Sequence, residues 1–204
     1  MTILSVNKTR KQMGALRPFF CLWARTASIF LFQVTIMKRK SRFLAHAALL
    51  AALYVALTYL QNFLIPNSAS WAIQFRASEA LCVLALFTPA AVPGLTVGCL
   101  LFNISNAAAL PLDFLVGSLA TALTVGSMYL TRRITLKGYP LLAMLMPALW
   151  NSLLVGWELS LYIGGGFWLN ALYVAIGEAA VLLSLGTLLF YAIKSRDLDK
   201  RLFG

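Results

Sequence analysis

Five charged residues lie within or beside the long apolar segments of this chain, where a charged side chain is energetically unfavourable. Charged groups in such segments usually face a cavity or pair with one another, and they often mark a functional site. Carboxylates accept hydrogen bonds from amine and ring N–H groups, and an arginine donates to oxygen acceptors. The chemistry that these residues support is therefore the binding of a polar ligand. The five residues are Arg76, Glu79, Asp113, Glu158 and Glu178.

The sequence also allows structural roles for three of these residues. Arg76 and Glu79 are three positions apart, so on a helix they could form a local ion pair that anchors the helix end. Asp113 stands at a predicted helix start, where a carboxylate interacts favourably with the helix dipole. Glu158 and Glu178 have no basic residue nearby in sequence, so each requires a spatial partner, a proton or a ligand.

Three tryptophans are predicted near the same membrane interface as these charges: Trp71, Trp157 and Trp168. Tryptophan is common at the membrane–water interface, so a belt position is one interpretation. The other is a cavity that holds a flat, hydrogen-bonding heterocycle, with indoles stacked on its faces and carboxylates bound to its N–H groups. Both interpretations stay open at this point.

The composition is typical of an integral membrane protein. The chain has 204 residues, of which 61% are hydrophobic and only 11% are charged, whereas a soluble domain has about 25% charged residues. Its apolar runs approach the ~20 residues that a helix needs to cross a bilayer. The runs are continuous and rich in Leu and Ala rather than alternating, which favours helices over barrel strands. The predicted fold class is therefore an all-α membrane protein.

Six transmembrane helices are predicted along the chain. The apolar block from 77 to 131 is too long for two helices, and Pro89, Pro93 and Leu110–Pro111 mark turns inside it. Glycines 164–166 mark a further turn. The predicted helices are 43–65, 77–91, 93–109, 112–131, 140–162 and 168–193.

The distribution of basic residues supports this count. With six spans, the basic residues at 38–42, 132–137 and 194–201 all fall on the cytoplasmic side, as the positive-inside rule requires. Both the N and the C terminus are then cytoplasmic. The four carboxylates of the apolar segments fall in the outer half of the membrane or near its midplane.

The first 36 residues are predicted to be separate from the membrane domain. They carry five basic residues and no acidic one. The open interpretations are a disordered basic extension, an amphipathic surface helix or targeting segment, and a gene start placed too far upstream. Met37, followed by "KRKSR", would begin a typical polytopic protein. Residues 37–204 are predicted to form a single six-helix membrane domain.

Missing motifs disfavour several classes of function. The net charge of +11 is explained by basic residues that flank membrane spans, so we predict no nucleic-acid binding. No GxxxxGK[ST] motif is present, so the chain should not hydrolyse ATP itself. The cysteines fit no metal spacing and no catalytic motif is present, so we predict no metal, no cofactor and no enzymatic activity. An intramembrane enzyme with paired carboxylates and a structural subunit remain the alternatives.

The first predicted helix carries a face of small residues within "AHAALLAAL". Ala47 and Ala51 are four residues apart, as are Ala48 and Ala52, and small residues allow helices to approach closely in lipid. Such a face either packs inside the protein or forms a docking surface for another membrane subunit.

Five motifs combine these polar positions with their apolar surroundings. They are "IQFRASEAL" (73–81), "PAAVPGLTVGCLLFN" (89–103), "GSLATAL" (117–123), "WNSLLVGWEL" (150–159) and "GEA" (177–179). In this order they resemble the QueT family of queuosine-precursor transporters, which are S components of energy-coupling-factor (ECF) transporters. The resemblance covers about residues 43–193 and leaves out the first 36.

The resemblance implies a six-helix S-component bundle in a bacterial plasma membrane. Such a subunit captures its substrate from outside and relies on an ECF transmembrane coupling subunit and two cytoplasmic ATPases. The absence of an ATP-binding motif is then expected. The small-residue face of the first helix becomes the expected docking surface, formed by Ala47, Ala48, Ala51 and Ala52.

The substrate that the resemblance implies is a 7-deazaguanine such as preQ1, preQ0 or queuine. Its guanine-like edge offers N1–H and a 2-amino group to one carboxylate, and the preQ1 aminomethyl cation would prefer a second. Another vitamin-like substrate remains the alternative. The expected binding residues are the carboxylates Glu79, Glu158 and Glu178, assisted by Arg76 and Asn151, with Trp71 and Asp113 beside them.

Overall fold

The fold is taken from a computed structural model, which describes residues 39–65, 76–106 and 109–203. The chain divides into two compact units, Met1–Phe43 and Leu44–Gly204. Of the first unit, only the helical residues 39–43 are described. The interpretations of residues 1–36 and the proposed role of Trp71 lie outside the described residues.

All regular structure in the described ranges is helical, apart from one isolated β-bridge between Leu136 and Tyr139. We number the α-helices α1 to α6 and call the 3₁₀ helix between α1 and α2 the 3₁₀ segment. Their bounds are α1 Arg39–Leu64, the 3₁₀ segment Ala77–Leu86, α2 Ala91–Ser105, α3 Asp113–Thr131, α4 Leu141–Tyr162, α5 Phe167–Ser195 and α6 Leu198–Phe203. The prediction of an all-α fold is therefore confirmed for the described chain.

Four of these helices, α1, α3, α4 and α5, are long and apolar enough to cross a membrane. The 3₁₀ segment and α2 are apolar but shorter. Large apolar side chains cover the outside of the bundle, including Phe63, which is 82% exposed, and Leu130, which is 78% exposed. A continuous apolar exterior of this kind matches a lipid environment, because the bilayer core offers side chains no hydrogen bonds.

Helices α1 and α2 approach closely because small residues meet at their contact. A Cβ atom added to Gly94 would lie 2.6 Å from the Ala47 carbonyl oxygen, and one added to Gly98 would lie 2.9 Å from the Ala51 carbonyl oxygen. Both distances are too short for a real Cβ atom, so these two positions require glycine. Two small residues spaced by four on each helix therefore bring the backbones of α1 and α2 into contact.

The 3₁₀ segment is the central element of the bundle. It packs against α2, α3, α4 and α5, and its residues from Ser78 to Ala85 are all buried. The sequence predicted a longer helix over 77–91, but this helix ends at Leu86 and a turn precedes α2. Its ten residues are unusual, since 3₁₀ helices longer than three or four residues are uncommon.

Two local features shape α5 and the turn before it. Gly164, Gly165 and Gly166 all have positive φ angles, between 81° and 83°, which glycine adopts without steric strain. Within α5, Leu182–Gly186 forms a π-helical turn, and π turns in helices often occur near functional sites. This turn follows Glu178 by one helical turn, and it contacts the 3₁₀ segment.

Candidate functional site: a buried carboxylate cluster

Six of the seven residues predicted to bind substrate lie buried in the bundle; Trp71, the seventh, is outside the described ranges. Each of the six is at most 6% exposed. They come from four different elements of the fold, so no single helix could have assembled them. The six are Arg76 and Glu79 at the 3₁₀ segment, Asp113 on α3, Asn151 and Glu158 on α4, and Glu178 on α5.

Arg76 is the cation of this cluster, and it interacts electrostatically with all four carboxylates. It precedes the 3₁₀ segment, with φ −106° and ψ 99°, so the chain is extended at this residue. Its guanidinium lies within electrostatic range of Glu79 and Asp113. The carboxylates of Glu158 and Glu178 interact with the same arginine. One positive charge therefore faces four acidic groups.

Both carboxylate oxygens of Glu79 already hold hydrogen bonds within the protein. Tyr54 on α1 donates its hydroxyl to Oε1 at 2.6 Å. The Cys82 thiol donates to Oε2 at 3.1 Å, because residues three apart lie directly above one another in a 3₁₀ helix. Glu79 is thus fixed in position, and both of its oxygens are engaged.

Asp113 has a structural role at the start of α3. Its Oδ2 accepts a hydrogen bond from the backbone N–H of Leu110 at 2.7 Å, which fixes the turn that leads into the helix. Its backbone carbonyl accepts a hydrogen bond from Nδ2 of Asn103 at 2.9 Å. The predicted helix-start role of Asp113 therefore coexists with its place next to Arg76.

Glu178 is bound on one side only. Its Oε1 accepts a hydrogen bond from Nδ2 of Asn151 at 2.8 Å. Its Oε2 is buried and has no hydrogen-bond partner among the residues that the structure describes. Asn151 thus orients the Glu178 carboxylate, and the second oxygen remains available to accept a hydrogen bond.

Glu158 is the most isolated of the carboxylates. Its side chain is fully buried, and within the described part of the chain neither of its oxygens has a hydrogen-bond partner. Asp113 and Arg76 interact with it electrostatically, but a hydrogen bond to Asp113 would require a proton shared between the two carboxylates. A buried acceptor without a donor is strongly unfavourable, so this carboxylate is the clearest place for a ligand donor.

Gly117 on α3 provides the space in which this cluster is assembled. A Cβ atom at this position would lie 2.7 Å from Nδ2 of Asn103 and 3.9 Å from Nη1 of Arg76. The first distance is impossible without a shift of the amide, so a larger residue would displace Asn103. Glycine at this position therefore allows the arginine and the amide to lie against the backbone of α3.

A hydrogen-bonded layer fixes the 3₁₀ segment against α1. The Thr58 hydroxyl lies 2.8 Å from the Ser78 hydroxyl, and Oε1 of Gln61 accepts a hydrogen bond from the Ala77 backbone N–H at 2.6 Å. With Tyr54, these polar residues of α1 follow the 3–4 residue spacing of one helix face. This face of α1 therefore determines where Arg76 and Glu79 lie.

The sequence reasoning missed Tyr54, Asn103 and Gly117 as residues of the cluster. The spacing of Tyr54, Thr58 and Gln61 in an otherwise apolar span could have indicated a polar buried face. Nothing in the sequence singles out Gly117, since its role depends on the approach of α2 and of Arg76. The cavity interpretation of Trp157 and Trp168 is not supported, because these side chains are 47% and 80% exposed on the outside of the bundle.

The four alanines of the predicted docking face lie on two different faces of α1. Ala47 and Ala51 are buried against α2. Ala48 and Ala52 are exposed. Ala47 and Ala51 are therefore occupied by internal packing in this structure, and only Ala48 and Ala52 present a surface to which another protein could bind.

Comparison with known families agrees with this arrangement. A family model described as QueT transporter matches residues 44–195, about three quarters of the 204-residue chain. The chain belongs to the QueT transporter family. No curated protein and no solved structure matches it significantly. The QueT match contains all six buried residues of the cluster and both alanine pairs of α1.

Membership of the QueT family makes this chain a membrane-embedded transport protein. The apolar exterior and the four long helices agree with that class. The described ranges contain no group of three or more His, Cys, Asp and Glu residues placed to hold a metal ion.

Proposed function

We propose that this protein is the substrate-binding S component of an ECF-type uptake transporter for queuosine precursors. Its substrate would be a 7-deazaguanine such as preQ1, preQ0 or queuine, captured from outside the cell. The protein would not be an enzyme and would rely on separate ATPase subunits for energy. Family membership supports the class of transporter, and the chemistry of the carboxylate cluster supports the class of substrate.

The observation that carries this proposal is a set of three buried carboxylate oxygens that have no hydrogen-bond donor among the residues that the structure describes. They are Oε1 and Oε2 of Glu158 and Oε2 of Glu178. A buried polar atom without a partner loses about 1–3 kcal/mol relative to water, and a charged group loses more. A ligand that brings several N–H donors to this place would recover that free energy, which is the general basis of tight and selective binding.

A 7-deazaguanine has the donors that this arrangement lacks. Its N1–H and 2-amino group can bind the two oxygens of one carboxylate side by side, and its O6 can accept from Arg76. The aminomethyl group of preQ1 is a cation at neutral pH and would bind a second carboxylate, as charge-assisted pairs are the strong ones. We assign the free carboxylates Glu158 and Glu178 to these donors, and Glu79 to the orientation of Arg76.

The proposed topology has six membrane-crossing segments with both termini in the cytoplasm. The 3₁₀ segment and α2 would be the two short ones. In this orientation Arg76, Asp113 and Glu158 lie toward the outer side of a bacterial plasma membrane, where an uptake system meets its substrate. The basic residues near 132–137 and 194–201 lie toward the cytoplasm, as the positive-inside rule favours.

The proposed partners are an ECF transmembrane coupling subunit and two cytoplasmic ATPases. Of the predicted docking residues, Ala48 and Ala52 are exposed and spaced by one helical turn. They would allow a partner helix to approach α1 closely. Ala47 and Ala51 would contribute indirectly by fixing α1 to α2.

The test compares binding by three purified variants in which one carboxylate becomes an amide. Glu158→Gln and Glu178→Gln should each weaken preQ1 binding about 10- to 100-fold, since a hydrogen bond to a charged group contributes about 1.5–3 kcal/mol. Asp199→Asn, on α6 and outside the cluster, removes the same charge and should leave the affinity within about twofold. Unchanged affinity in both cluster variants would refute the assigned site.

A ligand panel tests the substrate class separately. The midpoint temperature of thermal unfolding of the wild-type protein should rise with preQ1, preQ0 or queuine, because a ligand that binds only the folded state stabilises that state. Guanine, thiamine and biotin serve as comparisons. Stabilisation by thiamine or biotin alone would assign the protein to another vitamin-like substrate.

A further inference from the structure

A second polar site lies at the end of the bundle opposite the carboxylate cluster. Here α3 ends, α4 begins and α5 ends. A cavity of about 140 Å³ opens between these helix ends. This volume is several times the ~30 Å³ that a water molecule occupies in the liquid. The cavity is lined by Leu86, Phe87, Arg132, Thr135, Gly138, Pro140, Phe190 and Lys194.

The charges around this cavity have one sign. Arg132 and Lys194 come from different elements and contribute to the same lining, and none of the lining residues, all in the described chain, is acidic. Thr135 adds a hydroxyl that can donate a hydrogen bond. Two cations and a hydroxyl that line one cavity without a carboxylate suit an anion with several oxygens.

Aromatic rings hold both cations in place. The guanidinium carbon of Arg132 lies 3.7 Å from the centroid of the Tyr129 ring, and its Nη1 donates to the Tyr129 carbonyl. The Lys194 ammonium lies 5.2 Å from the centroid of the Phe190 ring. Cation–π contacts of this kind restrict flexible side chains. A guanidinium has five N–H donors, so the bond to Tyr129 leaves others for a ligand.

The rest of the cavity lining is largely apolar. Leu86, Phe87, Pro140 and Phe190 supply half of the lining residues. The floor includes the stacked rings of Phe87 and Phe190, whose centroids are 5.8 Å apart. A soluble anion would gain nothing from these side chains. A lipid would place its phosphate between the cations and its glycerol and acyl chains along the apolar residues.

We propose that this cavity binds the phosphate headgroup of an anionic membrane lipid. The basic ends of the apolar helices lie at headgroup level in a bilayer, where such lipids concentrate near Lys and Arg. The bound lipid would join the ends of α3, α4 and α5. This proposal is independent of the substrate, since it uses no residue of the carboxylate cluster.

The experiment measures lipid binding by the purified full chain in a neutral detergent. A phosphatidylglycerol probe with a fluorescent acyl chain is titrated, and phosphatidylcholine with the same label is the comparison. Phosphatidylglycerol should bind about tenfold more tightly, because two basic residues near a lipid phosphate each favour the anionic headgroup. Inorganic phosphate at millimolar concentration should not displace it.

A matched pair of double variants locates the site. Arg132→Gln with Lys194→Gln removes both cations of the cavity and should weaken phosphatidylglycerol binding about tenfold. The control, Arg133→Gln with Arg196→Gln, removes two exposed charges that lie at the same end of the helix bundle but do not line the cavity. This control should change the affinity by less than about twofold. A cooperative thermal unfolding transition, with a midpoint like that of the wild-type protein, shows that each variant is folded.

Three outcomes would overturn the proposal. An equal loss in both double variants would indicate only general attraction to a basic surface. Equal affinity for phosphatidylglycerol and phosphatidylcholine would exclude recognition of the anionic headgroup. Displacement of the probe by inorganic phosphate would assign the cavity to a soluble anion.

Discussion

At the scale of single residues, the carboxylates of the cluster divide into engaged and free groups. Glu79 has a donor on each oxygen, from Tyr54 and Cys82. Glu158 has none in the described chain, and Glu178 has one. Identical side chains therefore have different roles, because their neighbours differ. The free oxygens of Glu158 and Glu178 are the chemical basis of the proposed site.

The charge balance of the cluster predicts a preference among 7-deazaguanines. Four acidic groups surround one arginine, so a cationic ligand should be favoured. PreQ1, with its aminomethyl cation, should bind about tenfold or more tightly than preQ0, whose nitrile is neutral, because charge-assisted hydrogen bonds are about twice as strong as neutral ones. Calorimetric titration of both ligands measures this difference. Tighter binding of preQ0 would contradict it.

A substitution at Gly117 tests whether the close packing of Asn103 and Arg76 against α3 is needed for binding. In Gly117→Ala, the added Cβ atom would displace the Asn103 amide and should weaken preQ1 binding. Overpacking of this kind also destabilises a fold by about 1–3 kcal/mol, so the thermal unfolding midpoint should fall modestly. The matched control is Gly126→Ala on the same helix, where a Cβ atom meets nothing within 4 Å. Equal effects of the two substitutions would show that Gly117 has no special role.

Residue types predicted much of this cluster, but not its contacts. Charges are so unfavourable in apolar segments that their presence alone singled out Arg76, Glu79, Glu158 and Glu178. The difference between Glu79 and Glu158 could not be predicted, because it depends on Tyr54, 25 residues away from Glu79 in sequence. Long-range contacts of this kind do not leave a local pattern.

At the scale of elements, α1 has two faces with different partners. One face carries Ala47 and Ala51 against Gly94 and Gly98 of α2. The polar residues Tyr54, Thr58 and Gln61 continue it toward the 3₁₀ segment. The adjacent face exposes Ala48 and Ala52. The sequence predicted a small-residue face, but it could not separate internal packing from docking, because alanine suits both.

The two faces should respond differently to a larger side chain. Ala48→Leu with Ala52→Leu should leave preQ1 binding unchanged and reduce assembly with the coupling subunit, which co-purification measures. Ala47→Leu should instead destabilise the isolated protein, because the Ala47 backbone already touches Gly94 and overpacking a close contact typically destabilises by about 1–3 kcal/mol. Normal assembly of the Ala48/Ala52 variant would contradict the proposal that these two alanines form the docking surface.

The 3₁₀ segment was predicted as an ordinary spanning helix over 77–91. Its apolar composition supports that prediction equally well, since 3₁₀ and α-helices differ little in sequence preference. What distinguishes it is its position: it contacts five other helices, α1 to α5, and is buried along most of its length. The tighter winding aligns Glu79 with Cys82 and so contributes directly to the cluster.

At the scale of the whole molecule, the basic loops predict the orientation in the membrane. Ile134, in the loop between α3 and α4, and Ile163, directly after α4, are matched positions, each 57% exposed. In a background without the native cysteines, an impermeant maleimide added to intact cells should label Ile163→Cys. The same reagent should label Ile134→Cys only after the cell membrane is permeabilised. The reverse pattern would invert the proposed topology and place the cluster toward the cytoplasm.

The central claim is that this chain alone recognises a 7-deazaguanine. The most direct measurement is a calorimetric titration of preQ1 into the purified full chain, without any ATPase or coupling subunit. We expect saturable binding of one preQ1 per chain, because Arg76, Glu158 and Glu178 all belong to this single protein. Absence of binding by a protein whose cooperative unfolding shows that it is folded would contradict the account.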